Sequence, residues 1–229
     1  MRLNADFDQR VLIHSEQMEW LDSPMVGVAR RPLDRVGGEV ARATSVVKYQ
    51  PSSYFSPHVH TGGEEFMVLE GVFQDEHGDY PVGSYCRNPP QSRHTPGSEL
   101  GCVILVKLWQ FQADDRTQVR LNSDCIKAFA LPDHLGVSVI PLYSDDFETV
   151  SIEIWEANTK ISRSFDGGAE LFVLDGSFNE SGDQLVKRSW LRLPVGSLLS
   201  ASTGSQPARV WIKRDHLVRV DEEQARLPI

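Results

Sequence analysis

His58, His60, Glu64 and His94 are the residues of this chain whose types and spacing could carry chemistry. Imidazole nitrogens with one carboxylate oxygen suit a first-row divalent metal, and two histidines with one carboxylate already suffice for non-haem iron. Side chains alternate along a strand with period two, so His58 and His60 leave the same face. Thr61-Gly62-Gly63 then supplies a backbone free to turn tightly. Glu64 opens the next strand and can return to that face, whereas Glu65, one residue on, points the other way. His94 follows the rigid turn Asn88-Pro89-Pro90-Gln91-Ser92. A lone histidine is usually core or surface; here spacing, turn chemistry and residue type agree. The same test leaves His14, His77, His134 and His216 outside any motif.

The elements that must position these residues read as strands. Val46–Tyr49, Glu65–Leu69, Cys102–Phe111, Val150–Trp155, Glu170–Leu174 and Arg209–Lys213 are short runs rich in β-branched and aromatic residues. Turn clusters such as Asp75–Pro81 and Asn179–Asp183 separate them, and no long segment has helical periodicity. Trp109, Trp155, Trp190 and Trp211 fall in these runs and are expected to pack. Asp145-Asp146 and the tail Asp221-Glu222-Glu223 are expected to be solvated surface.

The chain also repeats itself. Gly62–Phe73 aligns with Gly167–Phe178 at an offset of 105, and Ser84, Arg87, Pro89 and Ser92 fall on Ser189, Arg192, Pro194 and Ser197 at that offset. Upstream, Val46–Tyr49 falls on Ser151–Ile154. Two copies of short strands fit small barrels or sandwiches, with a junction expected near Asp114 to Ala130.

Composition narrows the function. The chain has 229 residues, 23 basic and 32 acidic side chains and a net charge of −9, without a basic run. Nucleic acid and anionic membrane surfaces are therefore disfavoured as partners. The longest apolar stretches, such as Val103–Val106, fall far short of the ~20 residues of a membrane helix, and the start lacks a signal-peptide core. Cys86, Cys102 and Cys125 form no Cys-x-x-Cys pair and are expected to be structural thiols. A cytoplasmic location is expected.

His58-x-His60-x3-Glu64-x6-Gly71 resembles the first motif of the cupin superfamily. Gly83-x5-Pro89-x-Gln91-x2-His94 resembles the second, with Gln91 where the usual pattern has glycine. Leu33–Glu39, Phe73–Pro81 and Gly101–Leu108 are similar to ChrR-type cupins, which include the C-terminal domain of the ChrR anti-sigma factors. The resemblance covers about residues 20–112 closely and the second copy in outline. It implies an all-β fold of two tandem jelly-roll barrels, a bicupin. It also implies that His58, His60, Glu64 and His94 bind a metal, zinc in the anti-sigma factor. The helical sigma-binding domain of those factors, with its His-x3-Cys-x2-Cys motif, has no counterpart ahead of His58, so sigma-factor binding by that route is not expected.

At the offset of 105, His58, His60, Glu64 and His94 become Arg163, Phe165, Ala169 and Leu199. The expected organisation is residues 1–115, an N-terminal arm with a metal-binding cupin, and residues 116–229, a degenerate cupin without metal ligands whose interior Phe165, Ala169 and Leu199 fill. One divalent metal per chain is expected, zinc ahead of iron, nickel or manganese. The expected function is a zinc-binding sensor or regulatory module with a possible small-molecule ligand, as monomer or homodimer. The alternative is a metal-dependent dioxygenase acting on a dicarbonyl or hydroxyketone. No separate catalytic acid or base is assigned.

Overall fold

The computed structural model describes residues 1–227. The chain forms two compact all-β units. One comprises Met1–Ala5, Met18–Cys125 and the segment from Asp221; the other comprises Asp6–Gln17 and Ile126–Val220. Among the described residues, no helix is long and apolar enough to cross a membrane.

In the first unit, one sheet orders the strands Arg2–Leu3, Val28–Gly37, Ala41–Tyr49, Cys102–Leu108, Glu64–Asp75, Ser84–Asn88 and Val119–Asn122. A separate two-stranded sheet pairs His58–His60 with Ser92–His94. Period-two alternation divides each long strand between two environments. From Glu64–Asp75, Phe66 and Val68 enter a core with Val47, Phe73, Ile104 and Val106. Glu65 faces away and accepts a hydrogen bond from the Tyr85 hydroxyl at 2.7 Å. Burial of such side chains contributes about 1.5–3 kcal/mol each.

The second unit repeats this plan. Its sheet runs Phe129–Ala130, Val137–Ser144, Thr149–Trp155, Ser197–Arg214, Ala169–Glu180, Ser189–Leu193 and Val11–His14. The buried polar pair repeats too, with Trp190 Nε1 donating to Glu170 at 3.0 Å where Tyr85 donates to Glu65. Phe165, Ala169 and Leu199, which stand at the positions of His60, Glu64 and His94, are 2 %, 0 % and 0 % exposed and belong to the core with Trp155, Leu171 and Ile212.

Cross-strand register corrects the upstream alignment by one residue. Ile104 pairs with both Val47 and Val68, while Val210 pairs with both Glu153 and Val173. The strand Ala41–Tyr49 therefore corresponds to Thr149–Trp155 at 106, not 105. A one-residue slip exchanges the two faces of a strand, so Glu153, not Ile152, takes the inward place of Val47.

The units also depart from a cut between residues 115 and 116. Val11–His14 adds an edge strand to Ser189–Leu193 of the second unit, and Val119–Asn122 pairs with Ser84–Asn88 of the first. Open sheet edges bind whichever strand satisfies their backbone groups, which sequential copies do not reveal.

Two further expectations are corrected. Trp109 lies outside its strand, which ends at Leu108, and adopts φ 60°. Its indole covers Gly62, where a Cβ would stand 2.1 Å from Trp109 Cδ2. The acidic tail is not wholly solvated, because the short helix Val220–Ala225 buries Glu223 against Arg42, whose Nε donates to Glu223 Oε2 at 2.6 Å. A buried guanidinium needs a carboxylate, and the strand sequence around Arg42 gives no sign of where that carboxylate comes from.

Candidate metal centre

The short hairpin-like pair His58–His60 and Ser92–His94 builds the cluster. His94 stands opposite His58 in the register, and His60 is two residues from His58, so all three rings share one face. Their centroids are 4.8 Å (His58–His60), 5.1 Å (His58–His94) and 4.6 Å (His60–His94) apart. One nitrogen of each lies within 4.8 Å of the others, a group that could hold a metal ion. His58 is exposed, whereas His60 and His94 are buried.

Glu64 reaches this group from the next strand. Its Oε2 is 3.4 Å from His60 Nε2 and 3.7 Å from His94 Nε2. Donor atoms bound at 2.0–2.1 Å to a tetrahedral ion sit about 3.4 Å apart, so the spacing fits a metal. The burial of His60 Nε2 without a hydrogen bond fits it as well. A buried imidazole nitrogen left so is costly unless a cation takes its lone pair.

The turn between His60 and Glu64 is set by close packing. Gly63 has φ 81°, and a Cβ there would meet the Phe111 ring at 2.4 Å. The His60 carbonyl accepts hydrogen bonds from the N–H groups of Gly63 (3.3 Å) and Gln91 (2.9 Å), so one oxygen ties both ligand-bearing loops together. Gln91 holds φ 71°, which explains why glycine is usual at its place in the motif.

Two supporting residues were not legible in the sequence. Asp75 Oδ2 lies 3.4 Å from His94 Nδ1, leaving Nε2 for the cluster. Asn88 Nδ2 donates to Glu64 Oε2 at 3.2 Å, and Gln118 in turn donates to Asn88 Oδ1 at 3.1 Å. Asn88 is the direct cross-strand partner of Glu64. Neither relationship follows a sequence period; only register could have found them.

Electrostatics distinguish the two buried rings. Burial pulls the His60 pKa down, and Glu64 offsets that only in part. Burial acts likewise on His94, but Asp75 and Glu64 outweigh it and raise its pKa. Burial disfavours the Asp75 carboxylate, yet His94, the His77 N–H and the Tyr80 hydroxyl hold it below the ordinary range. Burial and the nearby Glu64 push the Tyr49 hydroxyl well above its usual value. Cys102 is similarly pushed up to about 11 by burial, as an inert core thiol would be.

Two all-β units, the first gathering three histidines on a two-stranded sheet beside a carboxylate, have the cupin fold. Within that class, residues 8–112 match the ChrR cupin-like domain family. No curated protein matches the chain in sequence. Among solved structures, the chain is similar to a candidate dioxygenase from Nostoc punctiforme PCC 73102 (15% identity, TM-score 0.74, covering 92% of this chain and 84% of that one). It is also similar to Ylba from Escherichia coli (14% identity, TM-score 0.66, 91% and 92%). A third is the bacterial pirin YhhW from Escherichia coli in complex with nickel(II) (12% identity, TM-score 0.62, 90% and 98%). At such identities the likeness is one of fold.

Proposed function

We propose that the first barrel holds one divalent transition-metal ion through His58, His60, Glu64 and His94, and that this centre serves a small oxygenated molecule as a metal-dependent dioxygenase does. The observation that carries this reading is a cavity in the first barrel that reaches Glu64. Of the four residues, Glu64 lines it, and a catalytic site keeps a coordination position open where a structural zinc site is closed. When bound, the ion would supply Lewis acidity and a place for substrate oxygen. The chain's own residues do the rest. Asp75 orients His94, Asn88 holds one Glu64 oxygen, and Trp109 covers the turn at Gly62. The nickel-bound pirin and the candidate dioxygenase among the structural relatives support a redox-competent metal as much as zinc. A cytoplasmic setting belongs to the same reading, since Cys86 and Cys102 are buried free thiols.

A second reading, a zinc-binding sensor or regulatory module, is favoured by one observation. The Glu64–His60 separation of 3.4 Å already matches a tetrahedral zinc edge.

Elemental analysis of untagged protein, followed by anaerobic exchange with iron and oxygen uptake on diketones and hydroxyketones, separates the two. Exchangeable iron with substrate-dependent oxygen consumption is the expected result. One inert zinc without oxygen uptake would favour the sensor. Undiminished metal in His60→Ala would sink the site itself.

A further inference from the structure

The cavity beside Glu64 measures about 110 Å³. A single water needs roughly 10–15 Å³ of such space, so the cavity suits a molecule of a few heavy atoms. Val47, Ile104 and Val106 make its wall apolar, but Arg30 and Arg35 also line it.

These two arginines share a face only because of a bulge. Arg30 pairs with Val47 and Arg35 with Ala43, two residues of the same parity on the neighbouring strand. Residues five apart on a regular strand point to opposite sides. The register shift between Pro32 and Asp34 inserts Leu33 and reverses the parity, so both side chains leave the face that lines the cavity.

Neither guanidinium is neutralised. Arg30 donates to the Ser23 hydroxyl, and Arg35 to the carbonyls of Gly38 and Glu39. Among the described residues these partners are all uncharged oxygens, and neither arginine forms an ion pair. Burial and the charge of Arg30 both lower the Arg35 pKa.

The second barrel serves as an internal control. The same bulge recurs there between Pro141 and Tyr143, and Val139 pairs with Glu153 as Arg30 pairs with Val47. Ser144, paired with Thr149, takes the place of Arg35. That barrel keeps its bulge and its own cavity, of about 260 Å³, with no arginine at these two positions; the arginines that line it, Arg163 and Arg214, stand elsewhere and are paired with Glu153 and Asp215. The scaffold therefore does not require them.

We propose that Arg30 and Arg35 form a clamp for a small carboxylic acid, which the cavity holds beside Glu64 as the substrate or effector of the metal centre. This rests on the metal reading in one respect: an ion on Glu64 removes the negative charge that would otherwise repel the ligand. Guanidinium groups suit carboxylate because they donate in a planar fork.

The test is calorimetric titration of pyruvate into zinc-loaded and metal-free protein, with neutral 2,4-pentanedione as control. Wild type, Arg30→Gln, Arg35→Gln, the double variant and the double lysine variant are compared, with zinc measured in each. Pyruvate affinity should fall about tenfold in each single glutamine variant and be lost in the double one, with zinc content unchanged. It should also weaken with salt, while 2,4-pentanedione is indifferent to both. The lysine variant should retain part of the affinity and keeps the test alive if the double glutamine variant does not fold. Equal pyruvate binding by wild type and the double variant, or none by zinc-loaded wild type, would overturn the clamp. Absence of zinc from wild type overturns the metal reading instead, and loss of residual pyruvate binding on removing the arginines from metal-free protein still supports the clamp.

Discussion

The Gln91 N–H donates to the His60 carbonyl at 2.9 Å while Gln91 itself holds φ 71°. A side chain stands where the motif usually has glycine, on left-handed backbone of the kind glycine favours.

Left-handed backbone costs a non-glycine residue about 1–2 kcal/mol, and glycine returns about 0.5–1 kcal/mol of that through unfolded-state entropy. Gln91→Gly should therefore stabilise the protein by about 0.5–1 kcal/mol, measured by urea denaturation, with metal content unaltered. A destabilised variant would show that the Gln91 side chain matters more than its φ.

Asp75→Asn should weaken metal binding by about 10–100-fold while leaving the fold intact, because Asp75 orients His94 and raises its basicity. Competition with a chromophoric chelator measures this directly. An unchanged affinity would mean that His94 is oriented by packing alone.

Leu199→Ala should cost about 2–5 kcal/mol, since Leu199 is fully buried in the core of the second unit. Metal content should stay at the wild-type level. Loss of metal together with stability would contradict the division of labour between the barrels.

Acid should release the metal, because protons and metal compete for the same imidazole nitrogens. His94 has a raised pKa, so its proton begins to compete at a higher pH than that of an ordinary imidazole. His60 has a lowered pKa and resists until the pH is lower still. In metal-free protein the sign for His94 is opposite: its contribution to stability is complete below about 6.5, the unfolded value, and is lost as pH rises through its raised folded value. Chelator-monitored release and metal-free unfolding, each followed against pH, check both directions.

Glu223→Ala should destabilise by about 3–5 kcal/mol, because the buried Arg42 loses the nearer of its two carboxylates. Truncating the chain before Asp221 should do the same. A neutral result would place Arg42 under the control of Asp34, 3.7 Å away.

Local rules made much of this protein legible from residue order alone. The pattern His58-x-His60 with Gly62-Gly63 and Glu64 specifies a strand, a turn and a second strand, and period two then fixes which side chains meet. The offset of 105 likewise anticipated that Phe165, Ala169 and Leu199 would fill a core, because apolar residues at interior positions have no other stable place.

Tertiary structure decided what depends on register and on long-range pairing. Whether Asp75 meets His94, Asn88 meets Glu64 or Glu223 meets Arg42 depends on which strands or segments adjoin, and residues far apart in sequence carry no period that reveals it. A single bulged residue, Leu33, sends Arg35 to the side of Arg30, and the one-residue difference between offsets 105 and 106 puts Glu153 inward. Alternation is a rule of parity, so one inserted residue reverses every side chain beyond it, and only the folded sheet shows where the insertion falls.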